Sequence, residues 1–152
     1  MKSYGQFCSI ARALDLLGER WTLLIVRELL SGSCHFGDVQ RGIPRISRTM
    51  LSTRLRELAD AGVIERQRGH GAGPEYRLTA AGLDLAPVIR ELGTWGQRWL
   101  PRELHPGELD PDAVVWDIHR RVRREALPPK PVVVLIEIAD VRRRASRYFL
   151  LL

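Results

Sequence analysis

Residues 42–67 read GIPRISRTMLSTRLRELADAGVIERQ, and their spacing predicts one helix followed by one strand. Ser47 stands where a hydroxyl would cap the helix by accepting a backbone N–H. Leu51, Leu55 and Leu58 recur at i, i+4 and i+7, which makes one buried stripe at helical pitch. The opposite side carries Thr49, Ser52, Thr53 and Arg56, with Met50 nearby. An ordinary solvent-facing helix would place Glu and Lys there. Short hydroxyls and arginines suit close approach to DNA. Gly62 is placed for the left-handed turn that ends a helix. VIERQR at 63–68 alternates and begins β-branched, as a strand does.

On the N-terminal side, SIARALDLL at 9–17 has apolar residues Ile10, Ala13, Leu14 and Leu17 at helical spacing, with Gly18 as a stop. RWTLLIVRELL at 20–30 predicts a second helix, apolar over much of its circumference and therefore the buried centre of a small bundle. HFGDVQRGI at 35–43 predicts a short third helix with Phe36, Val39 and Ile43 inward, ended by Pro44.

On the C-terminal side, GHGAG at 69–73 is a turn and PEYRL at 74–78 a return strand, together a β-hairpin with a glycine-rich tip. Thr79 caps a long helix over 80–99, kinked by Pro87. Along it Leu85, Val88, Leu92, Trp95 and Trp99 repeat at intervals of 3, 4, 3 and 4, the seam of a helix packed on another helix of the same or a second chain. A Pro/Gly-rich linker at 101–112 leads to a helix at about 112–125, with Val115, Ile118 and Val122 on its apolar face. VVVLIEI and SRYFLLL then read as two strands around ADVRRRA.

This order predicts a mainly α chain with a small β wing, a winged helix-turn-helix over residues 1–100 that binds DNA and dimerises. Residues 101–152 form a linker, helix and two-strand appendage that reads as a truncated domain. The helix at 47–61 is the expected recognition helix, since a helix fits the major groove, where base edges are distinguishable. Thr49, Ser52, Thr53 and Arg56 would read DNA. Arg45 and the open helix end at Ser47 would meet phosphate, and Arg48 and Arg56 could reach either phosphate or guanine. Arg68 and His70 would lie along the minor groove from the wing.

Composition agrees. A chain of 152 residues that is 45% hydrophobic sustains one domain with a core plus a short appendage. The net charge of +6 suits a polyanion, nucleic acid first and acidic lipid second. All but two of the 24 basic residues are arginine, able to contact guanine and phosphate bidentately. With no run of about 18 apolar residues and no apolar leader, a cytoplasmic, non-membrane protein is expected. Cys8 and Cys34 are too few for a disulfide scaffold and read first as small buried hydrophobes. No nucleophile elbow, P-loop, dinucleotide fingerprint or zincin helix is present, so no enzyme is expected. His35, His70, His105 and His119 are scattered. Cys34-His35 lacks further partners at metal-ligand spacing, so neither metal nor cofactor is expected.

The stretch from Cys8 through LGERWTLLIV, FGDVQRGIPRIS and MLSTRLRELADAGVI to YRLTAAG closely resembles the HxlR-type family of bacterial transcriptional regulators. The likeness spans about residues 7–100. It implies a homodimer joined through the N-terminal helix and the helix at 80–99. Some members sense electrophiles or oxidants at the position matching Cys8, so Cys8 is the candidate redox residue. Arg12, one turn on, would lower its pKa, and Cys34 matches no second thiol of the disulfide-forming members. Residues 109–152 more faintly resemble the opening of a sterol-carrier-like domain. Ending after one helix and two strands, that segment is expected to pack on the dimer by joining the partner's strands, without enclosing a lipid pocket.

The resulting expectation is a sequence-specific regulator, repressor preferred. A two-fold dimer would place recognition helices in major grooves about 34 Å apart on an inverted repeat, under an electrophile, oxidant or small-ligand signal. The alternatives are a ligand- or lipid-binding protein using the C-terminal segment, and a nonspecific architectural DNA binder.

Overall fold

The computed structural model describes residues 3–69, 73–100, 110–138 and 147–152. They fall in two units, Met1–Arg102 and Glu103–Leu152.

The first unit is built around one helix. After α1 (Ser9–Leu17), the chain turns into α2 (Thr22–Leu30), which packs against every helix of this unit longer than one turn and against the wing. Thr22, Ile25, Val26, Glu28 and Leu29 of α2 are all buried, in keeping with a helix that is apolar over much of its circumference, while Leu24 is exposed. The helix starts two residues later than its pattern suggests, because Trp21 takes a left-handed conformation with φ +80°. Within α2, the Glu28 carboxylate has no exposure at all. It accepts from the Arg27 guanidinium at 2.6 Å, and the same Arg27 Nη2 donates to the Gly42 carbonyl at 3.3 Å. Gly42 closes α3 (Phe36–Gly42), and any side chain there would run into the Glu28 carboxylate.

α4 (Arg48–Asp60) returns across α2 with Leu51, Leu55 and Leu58 at 0–1% exposure. They join Ile25, Val26, Leu29, Val39, Ile43, Ile46, Val63 and Ile64 in a single core. Gly62, at φ +70°, ends α4 in the left-handed turn expected of it. β1 (Ile64–Arg68) and β2 (Pro74–Leu78) pair antiparallel, Ile64 opposite Leu78 and Arg68 opposite Pro74. A bridge from His35 to Glu75 and a bond from Tyr76 N–H to the Cys34 carbonyl tie β2 to the turn before α3.

Thr79 Oγ1 accepts from Gly82 N–H, as its capping position predicts. The long helix is not continuous, however. It breaks at Asp84 into α5 (Ala80–Leu83) and α6 (Leu85–Trp99). Pro87 has no N–H for the Leu83 carbonyl and its ring crowds that carbonyl, so the ladder stops one turn ahead of it.

In the second unit, α7 (Pro111–Arg121) is capped by Asp110, whose Oδ1 accepts from Asp112 and Ala113 N–H. It is shorter than the expected span to 125. Val122 leaves the helix at ψ 123°, and a single 3-10 turn covers Arg124–Ala126. β3 (Val133–Glu137) and β4 (Arg147–Leu151) pair antiparallel, and Tyr148 Oη donates to Asp112 Oδ1 at 2.6 Å. No helix among the described residues is long and apolar enough to cross a membrane.

Gly42→Ala is expected to lower the unfolding free energy by about 1–3 kcal/mol, the usual cost of overpacking. Urea denaturation measures it, and an unchanged midpoint would mean that Glu28 swings clear.

Candidate nucleic-acid interface

Burial of the leucine stripe turns the other side of α4 outward. Its start is fixed by Ser47, whose Oγ accepts from Met50 N–H at 3.2 Å. That leaves other N–H groups of the first turn open to an anion. Thr49, Ser52 and Arg56 are exposed, Thr53 is half-buried, and Met50 lies at the edge of the face. From Arg48 to Arg56 the helix carries no acidic residue. Arg48 is exposed, with its guanidinium 5.2 Å over the Phe36 ring. A residue of α3 therefore holds it beside the helix end. Arg45 and Ser47 are exposed in the turn between α3 and α4.

Arg54 does something that the sequence reading does not foresee. Its Nη2 meets Glu19 Oε2 at 2.5 Å, its Nη1 meets Glu57 Oε2 at 2.6 Å, and its Nε donates to the Arg20 carbonyl at 3.3 Å. Only 11% of the side chain is exposed. The guanidinium thus clamps α4 to the turn between α1 and α2. The signal is in the spacing: Arg54 lies three residues after Leu51 and four before Leu58, on the core side, where a cation must be paired. The two carboxylates raise its already high pKa against the opposing effect of burial, which keeps it charged.

In the wing, Arg66 and Arg68 are both exposed on β1. Arg66 is a further cation on that strand beyond the two wing contacts expected from sequence. His70 lies outside the described residues.

The seam residues divide. Leu85 is half-buried and packs on the core of its own chain. Val88, Leu92, Trp95 and Trp99 stand 49–60% exposed. On α1, Ile10 and Leu14 are likewise exposed, together with Phe7 just before it, while Ala11 is buried. These faces of α1 and α6 are uncovered in the single chain.

Neither cysteine is the buried hydrophobe expected first. Cys8 is exposed and Cys34 half-buried. Cys8 stands at the N-cap of α1, where the N–H groups of Ala11 and Ile10 hold its thiol below the ordinary range. The cause is the open helix end rather than the Arg12 charge anticipated from sequence. Cys34 moves the other way, pushed up by burial first and then by Glu75 and Asp38.

Three core helices, a two-stranded wing and a following long helix define a winged helix-turn-helix protein, with α4 in the recognition position. The chain belongs to the HxlR-like helix-turn-helix family, whose model matches residues 16–104. The curated relatives it resembles are described as HTH-type transcriptional regulators. Rv3095 of Mycobacterium tuberculosis, an uncharacterized HTH-type transcriptional regulator, is 48% identical over 103 residues. The match covers 64% of this chain and 63% of that relative's length. The solved structure of PA1607 is 29% identical with a TM-score of 0.61, covering 90% of this chain and 88% of that one. Quinone-bound YodB from Bacillus subtilis is 34% identical with a TM-score of 0.52, covering 59% of this chain and 97% of that one.

The two arginines of α4 should separate cleanly. Arg54→Ala is expected to cost about 1.5–3 kcal/mol of stability, through lost charge-assisted hydrogen bonds. Arg56→Ala should leave the unfolding free energy within about 0.5 kcal/mol and weaken DNA binding instead. Chemical denaturation beside duplex binding checks both.

Proposed function

We propose that this chain is a homodimeric, sequence-specific repressor on an inverted-repeat operator. The observation that carries the proposal is the two-sidedness of α4, three leucines sealed in the core and Thr49, Ser52 and Arg56 turned out without an acid among them. In this reading Thr49, Ser52, Thr53 and Arg56 read base edges in the major groove. Arg45, Ser47 and Arg48 hold phosphate, and Arg68 and His70 extend the contact from the wing. The uncovered apolar faces of α1 and α6 support the dimer, since exposed patches of this kind mark association surfaces. The two recognition helices would then lie about 34 Å apart.

Binding to the duplex upstream of the protein's own gene should exceed that to a scrambled duplex by about a thousandfold or more, measured by fluorescence anisotropy over a salt series. Arg56→Ala should cost about 1–3 kcal/mol on the preferred site if it reads a guanine. Equal, steeply salt-dependent binding to both duplexes would favour an architectural binder. Val88→Glu with Leu92→Glu should convert the dimer to a monomer in sedimentation velocity, and a persisting dimer would move the interface elsewhere.

A signal is proposed at Cys8. YodB binds a quinone, and Cys8 here is exposed with a lowered thiol pKa. A thiolate at a helix N-terminus is the reactive form toward an electrophile. Alkylation followed against pH should modify Cys8 at lower pH than a free thiol and Cys34 at higher pH. The reverse order would remove Cys8 as the sensor.

A further inference from the structure

Away from the DNA-facing side of α4, three side chains with metal-ligand chemistry converge where the chain enters α3. Cys34 and His35 precede this helix and Asp38 lies in its first turn. Cys34 Sγ is 3.2 Å from His35 Nδ1, and the same nitrogen is 3.4 Å from Asp38 Oδ2. One donor atom from each residue falls within 4.8 Å of the other two. Around a tetrahedral ion with Zn–S of about 2.3 Å and Zn–N or Zn–O of about 2.0–2.1 Å, neighbouring donors stand roughly 3.3–3.6 Å apart. The two short separations are close to edges of such a tetrahedron. The helical turn of α3 supplies the third ligand, which adjacency of Cys34 and His35 in sequence does not reveal.

The surroundings fit as well. The donor-bearing turn is fixed to β2 by the His35–Glu75 bridge and by Tyr76 N–H on the Cys34 carbonyl at 2.8 Å. On the far edge of the imidazole, Nε2 faces Glu75 Oε1 at 3.9 Å. A carboxylate behind the second ring nitrogen is how ligating histidines are oriented and made more basic. Arg77 Nη2 holds the other Glu75 oxygen at 2.8 Å, and Arg41 Nη1 holds Asp38 Oδ1 at 3.1 Å, leaving Oδ2 toward the histidine. Cys34, His35 and Asp38 are each half-buried, so an ion can reach them from solvent and keep water in a fourth position.

We infer that Cys34, His35 and Asp38 form a binding site for a divalent transition-metal ion of the zinc class, with Glu75 orienting His35. A thiolate, an imidazole and one carboxylate select zinc, cobalt or nickel over magnesium or calcium. The site joins the strand of the wing to the first helix of the helix-turn-helix, so a bound ion braces one against the other.

The test uses Co(II) as the probe on the reduced full-length chain. One equivalent is expected to give a thiolate-to-cobalt charge-transfer band in the near ultraviolet, displaced by Zn(II) and not by Mg(II). Cys34→Ser should abolish the band and Cys8→Ser should keep it, with unchanged circular dichroism in both. Glu75→Gln should weaken Co(II) binding about 10–100-fold while the band persists at saturation. A band that survives in Cys34→Ser, or that is lost in Cys8→Ser, overturns the site. So does the absence of any band in the parent chain.

Discussion

Burying Leu51, Leu55 and Leu58 against α2 leaves α4 with one orientation only. A helix that seals three leucines on one side has no rotational freedom about its axis without exposing them, at roughly 1.5–3 kcal/mol for each leucine brought out. The outward side is therefore set by the inward one. Hydroxyls, Met50 and the exposed arginines face solvent because the leucines leave no other choice. The recognition position is a product of the core, and polar contacts with DNA need no part in creating it.

Charged groups then refine what the core fixes. Arg54 binds the turn between α1 and α2 to the middle of α4 through Glu19 and the Arg20 carbonyl. Glu28, with Arg27, holds the end of α3 at Gly42. Arg48 resting over Phe36 borrows an aromatic face of α3 to hold a cation beside the first turn of α4. Arg54 thus ties α4 to the turn after α1, Arg27 and Glu28 tie α2 to α3, and Arg48 ties α4 to α3. The α3–α4 pair is held by the Arg48–Phe36 contact as well as by packing, and a change at the end of α1 would reach α4 through Glu19 and Arg54.

Much of this was legible in sequence, for reasons that differ by element. The α4 boundaries followed from Ser47 and Gly62, both of which act locally. The wing followed from alternation and glycine. Three features did not follow. The left-handed Trp21 delays α2 without any glycine to announce it. The break at Asp84 was foreseen only as a kink, because pattern alone cannot tell a bent ladder from a lost one. Val122 keeps helical spacing but falls beyond the end of α7, where ψ has already turned extended. In the candidate site, the outward hydroxyl and arginine face was legible from residue type, and the inward position of Arg54 from its spacing, whereas its partner Glu19 lies 35 residues away and no local pattern reveals it.

Trp95 and Trp99 stand 53% and 60% exposed on α6, so the protein carries its own fluorophores on the apolar face that the single chain leaves uncovered. Indole emission shifts to shorter wavelength as water leaves the ring. Trp21 and Trp116, each half-buried, supply the background to that signal. The emission maximum of the unlabelled chain, followed on dilution, is thus an optical gauge of whether α6 is bare or occupied.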